Sequence, residues 1–248
     1  MGAVVSVQLG ELAALLFATP TFADHLPGDR LSLVLLHGFG VPGNDLSWLA
    51  ERLIERQASR GRPFQVILPV GPLPLVAEAP NAGRTWFPVD MFALQVALLQ
   101  RRWDELAEHC PEGLAWASHL LDEALLALQT LDVPPSDVVV GGFSQGALVG
   151  AQAVFSGGAP PRGLVLLSAM MTNEKEWLPL IARRAGLEVF QMHSPEDPVV
   201  PYALGQRLGD VMRKAGLHLT EFEAQPGHYI HLDAADALDA WLDQRFEV

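Results

Sequence analysis

The chain is poor in several things. It has one cysteine, Cys110, in 248 residues. No intrachain disulfide can form, which suits a reducing compartment and sets the expectation of a cytoplasmic protein. Lys and Arg number 16 against 29 Asp and Glu, for a net charge of −13. That balance repels phosphate backbones and anionic headgroups, so nucleic-acid partners are set aside. No apolar run has the length of a membrane-spanning helix, and no integral membrane segment is expected. There is no H-E-x-x-H, no cysteine pair and no G-x-x-x-x-G-K-[ST]. Neither a metal site nor a phosphate cradle is expected, and no cofactor is called for. No repeat of fixed period and no low-complexity tract interrupts the chain. The apolar N-terminal stretch has no Lys or Arg before Arg30 and is broken by Glu11. Residues 1–30 are therefore read as a strand or hairpin leading into the domain rather than a signal peptide.

What is present is apolar and periodic. Half the residues are hydrophobic, enough for a sizeable core in a single domain spanning 1–248. Apolar strand-like runs fall at 30–40, 63–71, 136–142, 162–169, 187–193 and 217–224, and helical spacing at 44–60, 113–131, 145–155, 173–186, 201–216 and 232–247. Strands that are apolar throughout are covered on both faces, so the alternation predicts a mostly parallel sheet between two helix layers. Residues 71–112 break the rhythm. They are irregular and Pro-rich, with a short apolar helical piece near 92–99, and are expected to form a lid or a substrate wall.

In such sheets the chemistry sits in loops at the carboxyl ends of the strands. Those loops here carry HGFG, GGFSQG, HSPEDPVVP and QPGHYIH. The second contains Gly142-Phe143-Ser144-Gln145-Gly146, a G-x-S-x-G string. A chain with 22 Gly and 10 Ser produces that string by chance about 0.08 times, so its place between a strand and a helix has to carry the reading. A sharp turn there can hold a serine clear of the sheet. The bland alternative is that Ser144 caps the helix beginning at Gln145.

A serine hydroxyl is a weak nucleophile near neutral pH and needs a base oriented by a carboxylate. Chain order in this kind of fold is Ser, acid, His. Asp197 and His228 both follow later strands and can reach the same rim. Glu196 is the rival acid and His231 the rival base. His193 ends a strand and reads as a structural loop histidine. His25, His109, His119 and His218 lack a matching context and read as surface or packing residues. An oxyanion hole needs two inward backbone N–H groups, assigned here to Gln145 and Phe39. Apolar residues near this rim, Leu73, Leu75, Trp86, Met170 and Met171, are candidates for a substrate pocket.

With these residues in hand, the chain resembles the α/β-hydrolase fold. Within that fold it resembles the carboxylesterase/phospholipase group that includes acyl-protein thioesterases. The matching segments are LHGFG, RTWFPVD, DVVVGGFSQGA, GLVLLSA, HSPEDPVVP and PGHYI, spread over about residues 33–230. The resemblance implies a nucleophile at Ser144, an acid at Asp197, a base at His228 and oxyanion donors at Phe39 and Gln145. It implies hydrolysis of carboxylic esters, extending to thioesters or lysophospholipids, on a small-molecule or acylated substrate. The same triad serves amidases, peptidases and acyltransferases, and a non-catalytic binding protein would share the fold. A homodimer is left open. The chain departs from the family at Val41-Pro42, where an acidic residue is usual, at His193-Ser194, where His-Gly is usual, and at Ala169-Met170-Met171, where glycine is usual.

Overall fold

A computed structural model describes residues 4–246 except 78, 80 and 81. An antiparallel hairpin opens the chain, β1 (Val5–Leu9) and β2 (Leu12–Ala18). Then come β3 (Leu31–Leu36), α1 (Ser47–Ser59) and β4 (Phe64–Pro69). The two-residue strands β5 (Leu73–Pro74) and β6 (Arg84–Thr85) pair with each other. Three helices follow, α2 (Met91–Leu99), α3 (Trp103–Glu108) and α4 (Leu114–Gln129). From there strand and helix alternate: β7 (Val138–Phe143), α5 (Gln145–Ser156), β8 (Gly163–Leu167), α6 (Glu174–Ala182), β9 (Glu188–His193), α7 (Tyr202–Lys214), β10 (His218–Glu223) and α8 (Leu232–Arg245).

The main sheet has the order β1-β2-β4-β3-β7-β8-β9-β10. It is antiparallel where β2 meets β4 and parallel from β4 through β10. Successive strand residues feed opposite faces. Val138 and Val140 pack under α4 to α7, whereas Val139 packs under α1 and α8. β3, β4 and β8 are buried along their full lengths, with Ser32 and Gln65 the polar exceptions, which is why they read as largely apolar runs. Each fully buried Leu or Val side chain stabilises the fold by about 1.5–3 kcal/mol.

One polar seam joins the first and last helices. Arg52 and Arg56 both bind Asp236, Arg60 binds the buried Asp239 at 2.8 Å, and Arg62 binds Asp243 at 2.6 Å. Gln57 adds a hydrogen bond to Asp239 at 2.9 Å. The seam anchors α8, and the loop just before α8 carries His228.

The sequence rhythm and the elements agree from β7 onward. Among its described residues, region 71–112 holds more regular structure than its Pro-rich sequence suggested. α2 lies at the expected apolar piece, and α3 is an element the sequence reading missed. Its two acidic residues in the first turn, Asp104 and Glu105, favour a helix N-terminus.

Candidate active site

β7 ends at Phe143 and α5 begins at Gln145, so Ser144 alone makes the turn. Its φ is 54° and its ψ −118°. A side chain seldom tolerates that geometry, which costs about 1–3 kcal/mol and tends to be kept at functional sites. The Ser144 N–H donates to the Leu167 carbonyl of β8 at 2.8 Å, tying the turn to the sheet. Its side chain makes no capping hydrogen bond to α5. The flanking glycines permit the close approach. A Cβ at Gly142 would lie 2.3 Å from the Gly146 backbone, and one at Gly146 would lie 2.4 Å from the Leu36 and His37 carbonyls.

His228 bridges Ser144 and Asp197. Its Nε2 is 3.0 Å from Ser144 Oγ, and its Nδ1 is 2.7 Å from Asp197 Oδ2. A carboxylate only accepts, so Nδ1 carries the proton and Nε2 offers its lone pair to the serine hydroxyl. The Asp197 side chain is fully buried. Burial opposes its ionisation. Hydrogen bonds from His228 and from the Val200 and Val199 amides outweigh burial and hold the carboxyl below its ordinary pKa. Both amides donate to Oδ1 at 2.8 Å, which leaves Oδ2 for His228. The Phe143 ring packs against the His228 ring, centroids 4.7 Å apart.

The loop after β3 runs beside the serine. Among the described residues, neither the Phe39 N–H nor the Gln145 N–H has an intramolecular acceptor. Gln145 is the first residue of α5, where backbone N–H groups lack helical partners. His37 fixes the loop from inside. Its Nε2 accepts the Gly71 N–H at 2.8 Å and its Nδ1–H donates to the Gly38 carbonyl at 2.7 Å. Burial holds this ring neutral, its pKa pushed down to about 4, with the Gly38 bond opposing and the Arg84 charge assisting.

A cavity of about 830 Å³ opens beside Ser144. Phe87, Leu94, Ala97, Leu106, Leu148 and Met170 give it apolar walls, and Arg102, Glu105, His109 and Glu112 add polar ones. α2 and α3 thus form one side of it. Of the five residues nominated from sequence for the pocket, Met170 alone lines it. Leu73 and Leu75 belong to or follow β5, and Leu75 is exposed. Trp86 is fully buried, its Nε1–H donating to the His37 carbonyl at 2.9 Å. Met171 is fully buried in the core against α5 to α7. These four are revised from pocket to packing or surface, because none of them lines the cavity. His109 is exposed, as read from sequence, and also lines the cavity.

The rival groups lie elsewhere. Glu196 is exposed, and His228 meets Asp197 rather than Glu196. His231 precedes α8 and packs against Tyr229, ring centroids 4.4 Å apart and planes tilted by 55°. His25 bonds the Thr21 carbonyl, His119 faces Glu123 and His218 faces Glu188. Cys110 is a free, exposed thiol. Among the described residues no helix is long and apolar enough to cross a membrane.

One feature of the site had no sequence signal. The Gln145 carboxamide is buried and accepts from Thr85 Oγ1 at 2.9 Å and from the Trp86 N–H at 3.0 Å, while its Nε2 donates to the Phe87 carbonyl at 2.8 Å. It pins the cavity wall to the serine turn.

Comparison with known proteins gives the family and the fold. Residues 29–239 match the family model described as Phospholipase/Carboxylesterase. An acyl-protein thioesterase 1 from Mycosarcoma maydis is 30% identical over 73% of this chain and 75% of its own. Another acyl-protein thioesterase 1, from Neurospora crassa, is 24% identical over 94% of each chain. Among solved structures, esterase PE8 superposes with a TM-score of 0.74 at 22% identity, covering 94% of this chain and 99% of its own. With a serine turn between strand and helix and a family match over most of its length, the chain belongs to the phospholipase/carboxylesterase family and is a carboxylic ester hydrolase on the α/β-hydrolase fold.

Proposed function

We propose that the chain hydrolyses carboxylic esters, thioesters among them, through an acyl-enzyme on Ser144. The observation that carries this reading is the continuous chain of hydrogen bonds from Ser144 Oγ through His228 to Asp197. His228 Nε2 takes the hydroxyl proton as Ser144 Oγ attacks the acyl carbon. Asp197 keeps the ring in the tautomer that can accept that proton and stabilises the imidazolium that forms. Negative charge develops on the former carbonyl oxygen. The Phe39 and Gln145 N–H groups stabilise it, each donor worth about 2.7–4 kcal/mol in the transition state. His228 then returns the proton to the leaving alkoxide or thiolate. Water attacks the acyl-enzyme by the same route, and Ser144 is regenerated.

The apolar cavity supports an acyl group as the bound half of the substrate. Residues 87–112 form its wall, as a substrate-wall insertion would. The fungal relatives named acyl-protein thioesterases support a thioester as one natural bond. The strongly acidic surface disfavours nucleic-acid partners. The single thiol, exposed and unpaired, supports a cytoplasmic setting. Matched thioester, oxyester and amide substrates with one acyl group test the reaction class. Turnover of the first two with little on the amide is expected, and preferential amide cleavage would overturn it.

A further inference from the structure

His193 ends β9, three residues before the acid loop reaches Glu196, and its side chain has no part in the proton path described above. It is nonetheless 4% exposed and surrounded by contacts aimed at that loop. Its Nε2 is 3.0 Å from the Val200 carbonyl and 3.6 Å from Asp197 Oδ2. A carbonyl only accepts, so Nε2 carries a proton and donates it to Val200. The same residue, Val200, donates its N–H to Asp197 Oδ1. His193 therefore grips the far end of the turn that cradles the carboxylate.

The surroundings are built around this ring. Tyr202 of α7 meets it edge-on, centroids 5.5 Å apart at 89°. A Cβ at Gly205 would lie 2.1 Å from His193 Nδ1, so α7 must carry glycine where it crosses the imidazole. β10 holds the backbone, with the Ala224 N–H donating to the His193 carbonyl at 2.9 Å. The charged or titratable groups facing the ring are Asp197 and His228 from the loops, Tyr202 from α7 and Glu223, its register partner on β10. Burial favours the neutral ring over the cation. A neutral donor suits the place. A permanent cation there would compete with the His228 imidazolium for Asp197, whereas a neutral N–H anchors the turn and leaves Oδ2 to His228.

We propose that His193 is a positioning residue for the catalytic acid: its Nε2–H holds Val200, and with it the 197–200 turn, so that Asp197 presents Oδ2 to His228. The inference rests on the reading of Asp197 as the catalytic acid. A displacement of the order of 1 Å in such a group costs about a hundredfold in rate.

The test compares His193→Gln, which keeps a neutral N–H donor at about the same reach, with His193→Leu, which keeps bulk and removes the donor. Asp197→Asn serves as the reference. Ester turnover and the downfield proton resonance of the His228 Nδ1–H are read together. For His193→Leu, kcat falls about ten- to a hundredfold with KM changed by less than about twofold, and the resonance shifts or disappears. His193→Gln stays within about fivefold of the parent and keeps the resonance. If the Leu variant fails to fold, His193→Asn replaces it, because its amide is one methylene too short to reach Val200. The proposal is overturned if the donorless variant keeps its kcat and resonance, or if Gln is as impaired as Leu. Full activity in Asp197→Asn is a separate outcome. It would refute the triad itself, and this proposal with it.

Discussion

The Gln145 carboxamide and the Trp86 backbone N–H are 3.0 Å apart, a contact that spans 59 residues of sequence and locks the cavity wall onto the serine turn. The same side chain holds the Phe87 carbonyl. Replacing Gln145 with Leu leaves buried polar groups unpaired, at about 1–3 kcal/mol each. Urea unfolding of Gln145→Leu is expected to show a lower midpoint. The backbone donor at 145 remains, so activity per folded molecule falls less than in any triad variant. An unchanged midpoint would mean the contact is dispensable.

Gly146→Ala tests the closeness of the turn. The added Cβ would sit 2.4 Å from two carbonyl oxygens, and the backbone of β3 has no room to yield. Destabilisation at or above the upper end of the ~1–3 kcal/mol typical of overpacking is expected. The readouts are soluble yield and thermal midpoint. A variant as stable as the parent would contradict the packing described for β3 and α5.

Stability should also depend on His37. Unfolded, its pKa returns to the ordinary 6.5, whereas in the fold burial holds it at about 4. Between these values the unfolded chain binds a proton that the native chain refuses. Stability from this group is therefore fully present above about pH 6.5 and is lost as pH falls toward 4. The loss reaches about 3 kcal/mol across that window, at about 1.4 kcal/mol per pH unit. Urea unfolding from pH 7 to pH 4 should give a shallower slope for His37→Gln than for the parent. Parallel slopes would contradict a neutral buried imidazole. Asp197, whose pKa is lowered instead, gives up its stabilisation only at more acid pH.

The cavity wall makes a prediction about substrates. Ala97 of α2 is buried and lines the cavity. Ala97→Trp should reduce kcat/KM for p-nitrophenyl decanoate by about tenfold or more while changing p-nitrophenyl acetate little, since lost apolar contacts of this kind are worth about 1–3 kcal/mol. Equal effects on both esters would mean that the acyl chain lies elsewhere.

Much of this site was legible in the chain because its signals are local. The glycines around Ser144 record a backbone crossing, and unbroken apolar runs such as 163–167 record burial on both sheet faces. Asp197 and His228 could be named because strand ends bring their loops to one rim. The pocket was harder to read. Leu73, Leu75, Trp86 and Met171 are as apolar as the residues that line it, and nothing in a linear sequence says which way each side chain turns. The buried duties of Gln145, His37 and His193 depend on partners 7 to 60 positions away, several of them backbone groups that any residue supplies. α3 escaped because six residues are too few for a helical period to show.

The central claim is that Ser144 is the nucleophile, and one measurement addresses it most directly. The folded parent and Ser144→Ala are treated with a fluorophosphonate probe, the adduct is mapped by peptide mass, and ester turnover is assayed alongside. The account predicts one adduct, on Ser144, in the parent. It predicts no adduct in Ser144→Ala and turnover at least about a thousandfold lower, with the thermal midpoint retained. An adduct on another residue, or near-parental turnover in Ser144→Ala, would contradict it.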